Sequence, residues 1–250
     1  MNKAQEDLKE NEKAIIRLFH VYKKFGGNNV LTDINIDILK NEFVFVSGSS
    51  GAGKTTLLSL IYLKERATYG QIIVDGLNLS RIRRRRMPEL RRKLGIIFQD
   101  YKLIATKTVF DNISLVLEAA EAPRKLIQKK VNSILRSVDL EEKSQAYPPS
   151  LSGGEQQRVA FARAVIGDPD IIVADEPFGS LDSNSAGSVL KLLNAYHARG
   201  ATIILATHDT ELINKREGRV IHLEKGRMRA SSECGQKADS NLNKASNGKI

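Results

Sequence analysis

A single cysteine, Cys234, stands in 250 residues, so the chain has no intrachain disulfide framework and no second soft ligand for a thiolate metal site. Also missing is any apolar run near the roughly 20 residues that a membrane-spanning helix requires. The opening stretch MNKAQEDLKENEK is polar and lacks the apolar core of a secretory signal, so the chain is expected to remain in the cytosol. No internal repeat is visible. What is there is 41% hydrophobic and 27% charged, the composition of an ordinary globular unit with a large core.

Both ends have little to bury. Met1 to Lys13 is almost entirely polar, and Ser231 to Ile250 is rich in Ser, Asn, Gly and Lys, so the folded domain is expected over residues 14–230, with a flexible segment before it and a disordered tail after it. Inside, Ile15 to Phe19 and Ile34 to Leu39 alternate like strands, and Gln71 to Gly76 reads as a strand entering a turn. From Val109 to Val138 the period becomes helical, with Leu126, Ile127, Val131, Ile134, Leu135 and Val138 on one face, which places a helical lobe at about residues 100–165. Ile171 to Ala174 and Thr202 to Ala206 are short apolar runs separated by a helix-like stretch, the grammar of a parallel sheet. The fold class is therefore α/β.

The run Gly48-Ser49-Ser50-Gly51-Ala52-Gly53-Lys54-Thr55 fits G-x-x-x-x-G-K-[ST] between an apolar strand, Phe43 to Val46, and a helix continuing through Thr56. Glycines let backbone N–H groups turn toward phosphate oxygens, the helix N-terminus favours an anion, Lys54 adds a point charge, and the Thr55 hydroxyl is placed to ligate Mg²⁺. A triphosphate is the expected occupant. A second strand ends in Asp175-Glu176. In P-loop enzymes an aspartate at such a tip organises the Mg²⁺ shell, which assigns that role to Asp175, while Glu176 is the candidate base for an attacking water.

With Leu151-Ser152-Gly153-Gly154-Glu155-Gln156-Gln157-Arg158 added, the chain resembles the ATP-binding cassette (ABC) ATPases over residues 15–229. The resemblance implies a P-loop NTPase core with a RecA-like parallel sheet, a small antiparallel β-subdomain and an α-helical subdomain. It assigns Gln99 to the Q-loop as γ-phosphate or Mg²⁺ sensor, Ser180-Leu181-Asp182 to the D-loop, and His208 to the switch position that supports the γ-phosphate and the attacking water. Phe25 occupies the place of the aromatic that stacks on adenine, with Tyr22 as a neighbouring candidate. The family logic further implies a head-to-tail homodimer in which the P-loop of one copy and Ser152, Gly153, Gly154 and Glu155 of the other sandwich each ATP. Two glycines before a helix read as a second anion-receptive N-terminus. His20, His197 and His222 carry no motif and read as surface or structural residues.

Within that family the segments HVYKKF, LRRKLGIIFQDYKLIATKTVFDNI, YPPSLSGGEQQRVAFARAV and VADEPFGSLD are similar to the cell-division branch, the FtsE group. That branch implies an FtsX-like integral membrane partner, a peripheral place on the cytoplasmic face of the inner membrane at the division site, and control of cell-wall hydrolases. Phe178 stands where this branch commonly has Thr, and DEPFG also suits small-anion importers. Lipoprotein-release and macrolide-export ATPases carry similar LSGG-Q-Q-R and ADEP segments and compete with the cell-division reading. A soluble nucleic-acid ABC ATPase fits less well, because Gln99 to Leu151 is too short for a coiled-coil insertion and only one cassette is present. A P-loop kinase leaves LSGGEQQR without a purpose. The segment Arg81 to Lys93 holds eight basic residues against Glu89, a net of +7 within a chain total of +10, which suits an anionic membrane surface.

Overall fold

The computed structural model describes residues 14–179, 183–214 and 218–234. In chain order its strands are β1 (Ala14–Phe25), β2 (Asn28–Leu39), β3 (Phe43–Ser47), β4 (Tyr69–Val74), β5 (Leu77–Asn78), β6 (Leu94–Ile97), β7 (Ile171–Asp175), β8 (Thr202–Thr207), β9 (Gly218–Glu224) and β10 (Arg227–Cys234). The helices are α1 (Lys54–Ile61), α2 (Met87–Lys93), α3 (Val109–Glu118), α4 (Arg124–Ser137), α5 (Gly153–Val165), α6 (Ser183–Ala198) and α7 (Thr210–Asn214).

Two sheets share the work. A small antiparallel sheet has the order β2-β1-β4-β5, and a six-stranded sheet has the order β10-β9-β3-β8-β7-β6, parallel except for β10, which runs antiparallel to β9. In β2, Ile34, Ile36 and Ile38 are buried while Asn35 and Asp37 are exposed, the alternation of a sheet with one face on a core. In the larger sheet the apolar runs are continuous because both faces are covered. Phe45, Ile172, Ala174, Ile203 and Leu205 face the helical lobe, whereas Val46, Ile171, Val173, Ile204 and Ala206 face α1 and the small sheet. The P-loop strand is thus clamped between two cores, so its tip is held rigidly.

The helical stretch expected over residues 109–138 is two helices. Pro123 supplies the N-cap of α4, and Leu126 and Ile127 donate to its carbonyl, so the chain turns before it resumes. Thr108 caps α3 by accepting from the Asp111 N–H at 3.0 Å. Phe178 packs against the core on the helical side. One boundary needs correction: β10 runs to Cys234, with Cys234 opposite Gly218, so the ordered chain continues beyond the expected limit at 230. Strand pairing is made by backbone groups, so the polar residues Ser231 to Cys234 extend a ladder that their side chains do not announce. The segments expected to be loose at 1–13 and 235–250 lie outside the described residues.

Candidate active site

The site begins where β3 runs into the P-loop. Gly53, the N-cap of α1, has φ 107°, and a Cβ there would stand 2.8 Å from Leu31 Cδ2, so the turn requires glycine. α1 starts with no side-chain cap and no acidic residue in its first turn. Its leading N–H groups have no partners within the helix and sit at the positive end of its dipole. Lys54 arches back over the loop, donating to the Gly48 carbonyl at 2.8 Å and to that of Ser49 at 3.3 Å.

Two carboxylates arrive from the end of β7 and diverge. Asp175 accepts a hydrogen bond from the Thr55 hydroxyl at 3.2 Å. Its carboxyl is pushed above the usual aspartate range, chiefly because burial disfavours the charge, with the Thr55 hydroxyl opposing that shift. Glu176 has φ 45°, and this left-handed turn sends its side chain away from that of Asp175. Its backbone N–H donates to the Ala206 carbonyl at 2.9 Å, so β8 fixes the turn. The Glu176 carboxylate, 11% exposed, lies 3.3 Å from Lys54 Nζ through one oxygen and 3.0 Å from His208 Nδ1 through the other. His208 itself is 68% exposed, so one ring edge holds Glu176 while the rest faces solvent.

These groups line one cleft of about 470 Å³: Ser49, Ser50, Gly51, Gly53, Lys54, Thr55 and Thr56 from the loop and α1, Gln99 after β6, and Glu176 and His208 after β7 and β8. Val30 also lines it, and no motif points to that residue. Gly48 and Ala52 contribute through the backbone: the Gly48 carbonyl receives Lys54, and Ala52 N–H closes the loop on the Ser49 carbonyl at 3.1 Å.

Other expected residues are placed elsewhere. Phe25, 44% exposed at the end of β1, is not among the residues lining the cleft, and Lys23 Nζ lies 4.4 Å from its ring centroid. Tyr22 pairs with Tyr69 in the small sheet. Ser152, Gly153, Gly154 and Glu155 begin α5 and do not line the cleft of their own chain. Their helix end is also less open than its glycines suggest. Ser152 Oγ accepts from the Glu155 N–H at 3.3 Å, and the Glu155 carboxylate accepts from the Ser152 N–H at 2.7 Å, a complete capping box. That backbone N–H holds the Glu155 carboxyl below its ordinary range. Asp182 of the expected D-loop lies outside the described residues. His20, His197 and His222 bond locally to Asp33, to the Asn41 carbonyl and to Ser47.

A nucleotide triphosphate fits the donor set. An uncapped helix start and an ammonium group form a cradle suited to an anion, with Glu176 at its edge, while Asp175 is buried behind Thr55 and is not among the residues lining the cleft. No group of three or more His, Cys, Asp or Glu able to hold a metal occurs among the described residues. A Mg²⁺ ion at Thr55 and Asp175 would complete its shell with phosphate oxygens, the usual arrangement for that ion.

The ABC transporter family profile matches residues 31–179, which span the P-loop, Gln99, the Ser152 segment and both strand-end carboxylates. The cell division ATP-binding protein FtsE of Bacillus subtilis is 41% identical over 213 residues, covering 85% of this chain and 93% of that protein. FtsE of Escherichia coli K12 is 40% identical over 215 residues, covering 86% and 97%. Among solved structures, the ABC cassette MJ0796, a dimer in a post-hydrolysis state bound to ADP and Pi, superposes with a TM-score of 0.80 at 31% identity, covering 88% of this chain and 99% of that one. At these identities and coverages the chain belongs to the ABC transporter ATPases and, within them, to the FtsE cell-division group.

Proposed function

We propose that two copies of this chain bind two ATP molecules head to tail, and that hydrolysis, directed by Glu176, resets a membrane complex with an FtsX-like integral protein at the division site. The observation that carries this reading is the Glu176 carboxylate, enclosed and bridging Lys54 and His208. Once phosphates engage Lys54, its contact with Glu176 is free to loosen, and the carboxylate can take a proton from a water aimed at the γ-phosphate. His208 then orients Glu176 through Nδ1 and offers its remaining ring edge to the phosphate. Thr55, Gln99 and Asp175 would hold Mg²⁺, which when bound would supply charge neutralisation to the phosphates. Phe25 at the rim of the small sheet is the proposed adenine platform. The second copy contributes Ser152, Gly153, Gly154, Glu155 and Asp182 to each site, so ATP favours the closed dimer by binding it better than the open one.

Replacing Glu176 by Gln should lower turnover by about 100-fold or more while leaving ATP bound, because the amide keeps the shape and loses the base. Light scattering should then find an ATP-dependent dimer, and a pull-down from membranes should retain a four-helix protein with a large extracytoplasmic domain. Wild-type turnover in Glu176→Gln would refute the assignment of the base. Recovery of a six-helix permease with a solute-binding protein would make the chain an importer motor instead.

The basic segment supports a peripheral place on the cytoplasmic face of the inner membrane. No helix among the described residues is long and apolar enough to cross a membrane. Around α2, Arg81, Arg83, Arg84, Arg85, Arg91 and Arg92 are all exposed, while Arg86 pairs with Glu89 and Lys93 with Asp75. Each exposed arginine near an anionic leaflet contributes about 1 kcal/mol of attraction. Co-sedimentation with phosphatidylglycerol vesicles, absent with phosphatidylcholine and lost when these arginines become Gln, is the expected result. A retained salt-sensitive shift of duplex DNA without any vesicle binding would favour a nucleic-acid partner, which this reading does not expect.

A further inference from the structure

Between Gln99 in the cleft and the start of α3, the backbone passes through an uncommon turn. Tyr101 and Lys102 are successive non-glycine residues with φ 58° and 51°. The Lys102 N–H reaches back to the Asp100 carbonyl at 2.5 Å, closing a three-residue turn about Tyr101 of a kind that is rare and strained. Such conformations persist only when their surroundings fix them.

Arg163, in the last turn of α5, supplies that fixation. One terminal nitrogen donates to the Tyr101 carbonyl at 2.6 Å and the other to the Lys102 carbonyl at 2.7 Å. A planar fork matched to two adjacent oxygens sets both position and orientation, which a lysine cannot do. Burial pulls the guanidinium below its ordinary proton affinity, and among the described residues no carboxylate forms an ion pair with it, so these carbonyls are its charge-assisted partners. A second contact ties the same places together. A Cβ at Gly95 in β6 would stand 2.5 Å from the carbonyl oxygen of Ala164, so α5 lies backbone to backbone on the strand that leads into Gln99. On the far side of the turn, buried Asn112 holds the chain through the Ile104 N–H at 2.8 Å and the Thr108 carbonyl at 2.9 Å.

The opposite end of α5, about 17 Å from Arg163 along the helix axis, carries Ser152. We propose that Arg163 is a positioning residue that locks the turn following Gln99 to this helix, so that Gln99 at one ATP and Ser152 at the other move as one body. The inference rests on the two-site dimer proposed above and adds a route by which each site reports its occupancy to the other. Arg163 touches no nucleotide in this arrangement; it acts through the placement of Gln99.

The test is a double-mutant cycle on the dimer-forming full chain with its membrane partner, measuring ATP turnover, the nucleotide dissociation constant and the melting temperature. Arg163→Ala is expected to lower kcat by about tenfold with nucleotide affinity unchanged, the size typical of a coupling residue. Combined with Gln99→Ala, it should lower kcat no further than the more damaging single change, because both act through one element. Arg163→Lys, which can reach one carbonyl at a time, should recover part of the loss. If Arg163→Ala does not fold, the same cycle is run with Arg163→Lys. Effects that multiply, or a loss carried by nucleotide affinity alone, would overturn the inference. Failure of the ATPase reading is distinguishable, since it appears as undiminished turnover in Glu176→Gln whatever the cycle gives.

Discussion

The helix that begins at Lys54 and the helix that begins at Gly153 both have glycine at their starts, Gly53 as the N-cap of the first and Gly153 and Gly154 inside the first turn of the second, yet their first turns are arranged in opposite ways. α1 has no capping side chain and no acidic residue in its first turn, so its N–H groups and dipole are left for an external anion. α5 caps itself: Ser152 accepts from Glu155, and Glu155 accepts from Ser152. The first is built to receive phosphate by itself. The second keeps the Ser152 hydroxyl hydrogen as a donor while its oxygen is engaged as an acceptor, so it can add one hydrogen bond to a phosphate already held elsewhere. This difference gives a physical reason for the proposed division of labour, in which the α1 cleft binds nucleotide and the Ser152 segment is offered to a nucleotide bound by a partner copy.

Lys54→Ala should break the comparison most strongly. With the ammonium gone, the α1 cradle loses a charge-assisted contact, and the nucleotide dissociation constant should rise by about 10- to 100-fold in isothermal calorimetry. An unchanged constant would mean that the helix end alone suffices. Ser152→Ala should act on the other end and in another currency. Loss of the cap should cost about 1 kcal/mol in urea unfolding, with nucleotide affinity of the single chain unaltered and ATP-driven dimer formation weakened. Weakened binding to the isolated chain would show that Ser152 serves its own cleft.

The smallest effects come from the two carboxylates that accompany these helix ends, and they should have opposite pH dependence. Asp175 is raised above its ordinary value of 3.8, so it disfavours the fold when ionised, and this penalty vanishes as pH falls below that value. Asp175→Asn without nucleotide should therefore raise the melting temperature at pH 7, with the gain shrinking toward pH 4. Glu155 is lowered from 4.5, so it contributes stability above that pH and loses it as pH falls through the depressed value. Glu155→Gln should lower the melting temperature slightly at pH 7 and match the wild type in acid. Parallel profiles for both variants would contradict the assigned causes.

Much of the cleft is legible in sequence because its chemistry is local. The P-loop needs its glycines, Lys54 and Thr55 within eight residues, and Asp175-Glu176 announce themselves at the end of an apolar run. Val30, Asn112 and Arg163 are not legible as site or support residues. Val30 looks like any half-buried strand residue, and Arg163 reads as one more cation on a helix until Tyr101 and Lys102 are brought against it. Phe25 is assigned by its position in a resemblance, and the structure places its ring beside Lys23 at the edge of the small sheet.

By itself, the sequence determined the nucleotide chemistry, the α/β class and the family, because backbone-cradled phosphate binding and buried parallel strands impose short-range patterns of glycine, charge and hydrophobicity. The tertiary structure alone decided that Glu176 bridges Lys54 and His208 and that Arg163 grips the chain beyond Gln99. Those facts join residues up to 122 positions apart, from Lys54 to Glu176, and side chains so distant along the chain acquire a shared geometry only when two cores fix the strand ends between them.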